Sequence, residues 1–400
     1  MPMTQSNQRA KLWVLLAAGS LAVMPGAVIL PVLGDIKAQF QLDEFLAGRL
    51  ASAHYSMVAL FSPILGILAS RVGWVRVLVG SLLLFALFGM AGTWVNSFSP
   101  MLLTRLLLGA ATGGIAAASL GILSQIYQQE EERSQAIALA SSTISLANIA
   151  YPLLAGLLGA ANWQIAFYLY GLSLPIALAA LLNLSDRPQS TEATASLLNS
   201  VELAKILSML KNPRVLRFML TLLLTSATAY ATVTNLSIYL KTDPINADTP
   251  VIGLILASQA IGSAAISAFG LKYLTRRFGV VPTIGIGFGL LTLALIAMPN
   301  SVQPALLLLA AILFGVGLGI VVPSHYSALA TITPPNLQPI VLAVGTGVTF
   351  LGQFLSPDIF GTIFNSEQPI TTFYAGAMLS FSMGLLLVLA SRNLQRIRES

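Results

Sequence analysis

Five ionisable side chains stand inside or at the rim of long apolar stretches of this chain: Asp35, His54, Arg105, His325 and Asp358. A charge in an apolar surround is expensive, so groups of this kind are functional by default. Asp and His exchange protons, whereas Arg is a fixed cation that meets anions or tunes a neighbour's charge. Arg105 is the one basic residue that falls inside a predicted span, its Cα about 8 or 9 Å below the outer boundary when counted along a helix from the turn at Ser99-Pro100. Snorkelling to that boundary is the alternative to a functional role. A second set is polar and uncharged. Thr221, Thr225, Thr228, Thr232, Asn235 and Tyr239 recur at helical spacing, with Tyr230 on a neighbouring side, as either a ligand-facing stripe or a seam of helix–helix hydrogen bonds. His325 reads as an interfacial residue, and a solvated carboxylate is the simplest reading of Asp35. The chain has no cysteine and no metalloprotease, phosphate-loop, dinucleotide or serine-nucleophile motif in a fitting context. No catalytic site, metal or cofactor is therefore expected.

The elements that must carry these residues follow from composition. Only 34 of 400 residues are charged (20 Lys+Arg and 14 Asp+Glu), where a soluble chain of this length carries about 100. With 56% hydrophobic residues and a mean hydropathy of +0.84, the apolar excess must face lipid. A spanning helix needs roughly 20 apolar residues. The charge-free runs 12–34, 50–70, 77–104, 106–129, 218–240, 249–271 and 368–391 each fit one. The longer runs 134–185 and 278–357 fit two and three, divided at Ala161-Asn162-Trp163, Met298-Pro299-Asn300 and Thr333-Pro334-Pro335-Asn336. The fold class is thus all-α, with twelve transmembrane helices. The first run is read as a retained span and not a cleaved leader.

Among the 20 basic residues only Lys37, Arg49 and Lys241 fall on one side of this layout, and sixteen fall at the termini or in the even-numbered loops. Both termini are therefore expected in the cytoplasm, and the net charge of +6 needs no nucleic-acid partner. The longest polar stretch separates two six-helix halves, 1–184 and 214–400, with a cytoplasmic linker at 185–213. Val201, Leu203, Ile206, Leu207 and Leu210 share one face there, as in a short surface helix. The halves repeat. At an offset of 206, Leu50-Ala51-Ser52 returns as Leu256-Ala257-Ser258, Arg71-Val72-Gly73 as Arg277-Phe278-Gly279, and Gly109/Gly113 as Gly315/Gly319. At 205, Pro152 and Gly156 return as Pro357 and Gly361.

Several of these segments resemble motifs of the major facilitator superfamily. After span two, Gly66, Arg71, Gly73 and Arg76 match the family's loop pattern, although Ser70 stands where relatives usually carry Asp; a plain basic loop under the positive-inside rule is the alternative. Arg105 followed by Gly109 is similar to the family's intramembrane Arg of span four. Tyr151, Pro152 and Gly156 resemble the exporters' Gly-Pro motif in part, since Tyr151 and Ala155 replace glycines. Trp163 to Phe167 resembles a stretch of drug:proton antiporters with Gln164 in place of Arg; an interfacial aromatic belt is the more economical source.

The resemblance implies a fold of two six-helix halves that expose a central site alternately to each side. It also implies that spans one, four, seven and ten line the cavity, which favours a substrate-facing role for Thr225, Thr228, Tyr230, Thr232 and Asn235. The Gly315-x-Gly317-x-Gly319 run would let backbone approach substrate, or simply pack tightly. Asp35 and Arg105 would sense each other's charge, with Asp35 the titrating group. Spans two and eleven meet between halves in the family, so His54 and Asp358, at compatible depths, are expected to pair as a gate; the alternative leaves each with partners of its own. The function expected is secondary, proton-coupled export of small neutral or anionic amphipathic molecules across the plasma membrane by a monomer. Uptake of a small organic solute is the alternative, and a non-transporting sensor a more distant one.

Overall fold

The computed structural model describes residues 5–127, 129–185, 209, 212–334, 337–363 and 368–399. The chain is helical, with no strand among the described residues. Among the described residues twelve helices are long and apolar enough to cross a bilayer. They are α1 (Gln8–Phe40), α2 (Glu44–Val72), α3 (Trp74–Trp94), α4 (Phe98–Ile126), α5 (Glu131–Leu158), α6 (Trp163–Asn183), α7 (Pro213–Tyr239), α8 (Thr249–Phe278), α9 (Val280–Ala297), α10 (Pro304–Ile332), α11 (Ile340–Thr362) and α12 (Pro369–Leu389). Leucines such as Leu87, Leu103, Leu182, Leu309 and Leu386 point away from the packed helices, where lipid would cover them. The surface helix expected over 201–210 lies outside the described residues, Met209 excepted.

Proline and local turns set where these helices bend. Pro25 offers no N–H to the Leu21 carbonyl, which is met instead by Met24 N–H in a 3₁₀ turn over Leu21–Val23. That turn breaks α1 in its middle. Pro63, Pro152 and Pro323 are carried within α2, α5 and α10. In α11 a π turn, Ile359–Ile363, follows Pro357, and α8 carries a π segment at Ile266–Gly270.

The helices group into two compact units, Met1–Gln41 with Leu50–Asn199, and Leu42–Arg49 with Ser200–Ser400. In the first, α3 packs on α4 and α6, and α1 packs on α5. In the second, α10 packs on α8 and α9, α9 on α12, and α7 on α11. The sequence repeat has the same physical content in each. A Cβ at Gly109 of α4 would stand 2.2 Å from the His54 carbonyl oxygen of α2, and one at Gly113 2.9 Å from Ser62 N. One at Gly315 of α10 would stand 1.8 Å from the Gln259 oxygen of α8, and one at Gly319 2.5 Å from that of Ser263. Gly317 abuts Leu291 of α9. The glycine run of α10 is thus a packing seam. The turns repeat as well: Gly73 (φ 112°) and Gly279 (φ 83°) hold a backbone that side chains resist. Gly73 donates to Ala69 O and accepts from Val77, while Gly279 donates to Thr275 O and accepts from Thr283.

Candidate functional site

Arg105 is wholly buried in the first unit, at 0% exposure. Gly89 and Gly92 of α3 make the room: a Cβ at Gly89 would meet Tyr170 at 2.3 Å, and one at Gly92 would meet Phe167 at 2.9 Å and Arg105 Nη2 at 3.2 Å. Into that space α6 brings Phe167 and Tyr170, whose rings pack against the guanidinium with centroids 4.8 and 5.2 Å from Cζ. Arg105 Nη1 donates to Tyr170 Oη at 2.9 Å, and Tyr170 Oη donates in turn to the Pro25 carbonyl at 3.3 Å. The phenol therefore ties the cation to α1 just past its break. Phe85 closes the box edge-on to Tyr170. Nε and Nη2 have no hydrogen-bond partner among the described residues. The side chain does lean toward Gly92, yet its burial excludes snorkelling to water.

His54 lies at the same bend of α1. A Cβ on Gly26 would stand 3.8 Å from its Nε2, which has no hydrogen-bond partner among the described residues. Its Nδ1 lies 2.9 Å from Ala51 O and, facing a carbonyl, carries the proton. Asp35 sits farther along α1, half-buried within a helix that runs on to Phe40 and not at its end. Arg105 spends its bond on Tyr170 and not on Asp35.

The hydroxyls of α7 bond to their own helix. Thr225, Thr228 and Thr232 donate to the carbonyls of Thr221, Leu224 and Thr228 at 2.6 to 2.8 Å, and Asn235 Nδ2 to Ala231 O at 2.9 Å. The Thr228 methyl and Leu295 of α9 both face Gly376 of α12, and the Tyr239 ring packs edge-on to Phe373 of α12. Tyr230 is buried at 5% exposure. Asn235 and Thr234 line a small cleft with Glu44, Phe45, Ser356 and Thr372 of the second unit.

Thr221 makes the helix-to-helix contact, to His325. The expectation of an interfacial His325 is corrected: it is 0% exposed, between Phe218 and Phe288 in edge-to-face contact. Its Nδ1 donates to Val321 O at 2.8 Å and its Nε2 lies 3.0 Å from Thr221 Oγ1. Thr221→Val leaves that buried nitrogen unpartnered, so a loss of about 1–3 kcal/mol in stability is expected, with Thr221→Ser close to the parent. Thermal unfolding of the purified variants checks it.

Asp358 is held by Arg49 and not by His54. The two groups form an ion pair, with the Arg49 guanidinium also over the Phe45 and Phe354 rings. Each of the two expected gate residues thus has a partner of its own. In the sequence Arg49 stands only among the loop charges, and nothing there pairs it with Asp358.

Two family models match this chain, that of the Major Facilitator Superfamily over residues 15–246 and that of an MFS_1-like family over residues 146–375. The chain belongs to the Major Facilitator Superfamily. It is similar to the uncharacterised MFS-type transporter YfhI of Bacillus subtilis, at 22% identity over 90% of this chain and 88% of that one. It is 29% identical to the multidrug export protein EmrB of Haemophilus influenzae over 38% of this chain and 28% of that one. In fold it matches a bacterial homologue of the human lysosomal transporter Spinster, solved inward-facing and unoccupied, with a TM-score of 0.75 at 15% identity, covering 97% of this chain and 96% of that one. The molecule is a multi-pass membrane transporter.

The superfamily motifs fall on structural turns and contacts. Gly73 provides the α2–α3 turn, Arg76 Nη1 donates to Val72 O at 3.1 Å, Arg71 is exposed, and Gly66 faces Ala117 of α4. Ser70, in place of the usual acid, donates to Ile67 O within α2. In α5, Tyr151 Oη shares a hydrogen bond with Ser20 Oγ of α1 at 3.0 Å, one residue before the 3₁₀ break, and Pro152 and Gly156 are buried beside it. Trp163 is buried and is not a lipid-facing belt residue. It is 6% exposed, donating from Nε1 to Gln39 Oε1 at 2.6 Å, whereas Trp94 and Tyr168 are the exposed aromatics nearby.

Proposed function

We propose that this transporter is a proton-coupled exporter of small amphipathic molecules that works by alternating access, similar to the drug:proton antiporter branch of the superfamily. In this reading it is a monomer of the plasma membrane with both termini and segment 185–213 cytoplasmic. The observation that carries it is Arg105, a permanent charge enclosed in α4 with hydrogen-bonding capacity to spare, tied through Tyr170 to the bend of α1. A residue that costs this much to bury is retained for what it does to charge in the membrane. Asp35 is the proton-exchanging acid on the same helix, roughly ten residues from Pro25 or about 15 Å along the axis. At an effective dielectric of about 20, charges that far apart interact by on the order of 1 kcal/mol, enough to bias two states several-fold. The local similarity to a multidrug export protein supports export.

A panel of amphipathic compounds offered to inside-out vesicles tests the reading. Accumulation driven by an imposed pH gradient, acid inside, and collapsed by a protonophore is expected. Accumulation only in right-side-out vesicles would mean uptake, and indifference to the gradient would remove proton coupling.

A further inference from the structure

The geometry points to a carboxylate site on Arg105, whose Nε–Nη2 edge is set to take the head group of a small amphipathic monoanion. A guanidinium presents its N–H groups as forks, and the edge shared by Nε and Nη2 matches the two oxygens of a carboxylate. Here Nη1 is already spent on Tyr170, and Nε and Nη2 are left without a partner among the described residues, at 0% exposure. The fork does not swing. Tyr170 is fixed by Pro25 O, and the Phe167 and Tyr170 rings pack against the guanidinium. A fixed, dry donor pair binds without paying to order itself.

Charge selects the ligand class. Arg105 is the sole charged residue of α4, and α6 has none, so one negative charge neutralises the box and a second would be buried unmet. An organic cation is repelled. The side chains against the guanidinium, Phe167 and Tyr170, are aromatic, which suits a ligand with an apolar body behind its carboxylate. A second unpartnered polar atom, His54 Nε2, lies at Gly26, the residue after the Pro25 anchor.

This inference names a substrate class for the exporter proposed above and rests on that reading for its physiological role. Its test is equilibrium binding without any gradient. Calorimetry on the full chain in nanodiscs would use 4-phenylbutyrate, its amide 4-phenylbutyramide and the amine 4-phenylbutylamine. The carboxylate is expected to bind on the order of 10- to 100-fold tighter than the amide, the worth of a charge-assisted fork, with the amine weaker still. Arg105→Lys keeps the charge and removes the fork, so the preference should fall to within a few-fold. Tyr170→Phe, which keeps the ring, should lower it by less, and its monodispersity and unfolding midpoint show that the fold persists. Equal binding of carboxylate and amide, no binding of the carboxylate, or full preference in Arg105→Lys would overturn the site. Binding as expected with no gradient-driven transport would instead defeat the exporter reading and leave the site standing.

Discussion

Gly315→Ala is expected to destabilise the transporter more than any other single added methyl among the glycines of its helices. The new Cβ would stand 1.8 Å from the Gln259 oxygen and 2.6 Å from its carbonyl carbon, both of them backbone. No rotamer relieves a clash with backbone, so α10 and α8 must separate along their crossing. Overpacking of this kind costs about 1–3 kcal/mol and more where neighbours cannot move. Separation also forfeits the Cα–H···O contact that the glycine allows. Gly109→Ala, 2.2 Å from the His54 oxygen, should behave alike in the first unit. Gly289→Ala and Gly80→Ala are the controls: a Cβ there meets nothing within 4 Å, and a helix favours Ala over Gly. Unfolding midpoints of the four variants decide the matter. Equal midpoints for Gly315→Ala and Gly289→Ala would show that the crossing yields, and that the repeated glycines are not held there by sterics.

The repeat that marks these glycines was legible because duplicated helices cross at duplicated places, so Gly109 and Gly315 carry the same constraint at one offset. The twelve spans were legible for an equally simple reason, since lipid tolerates few charges and the interruptions are where charge and turn residues collect. Contacts were not. A spacing of three and four puts Thr221 to Tyr239 on one face of α7, but the spacing is silent on whether that face meets substrate or, as for Thr221, a histidine 104 positions away. His325 was misplaced by the same gap: depth along α10 can be counted, while the Phe218 and Phe288 rings that enclose it come from two other helices. The ion pair of Arg49 and Asp358 joins residues 309 positions apart. Their signs and depths matched on paper, and only the identity of neighbouring helices was missing. The break in α1 had a visible cause in Pro25, which an uninterrupted hydropathy run concealed.

Arg105→Met should abolish gradient-driven transport and leave the protein at least as stable as the parent. Most buried charges are lost at a cost of several kcal/mol because a partner is left charged and alone. Among the described residues Arg105 forms no ion pair: it bonds the Tyr170 phenol and packs on two rings, and Tyr170 Oη keeps its bond to Pro25 O when the guanidinium goes. What disappears is a desolvated cation with two unmade hydrogen bonds. Methionine refills an aromatic box with a side chain of similar length and makes favourable sulfur–ring contacts. Replacing buried ionic groups by well-packed apolar ones is neutral or stabilising by about 1–4 kcal/mol, against which the cation–π contacts return about 0.5–2 kcal/mol. The unfolding midpoint should therefore hold or rise while transport falls to background. Stability gained as activity is lost is the behaviour of a residue kept for function. A midpoint well below the parent's, with transport retained, would make Arg105 a structural residue and take it out of the mechanism.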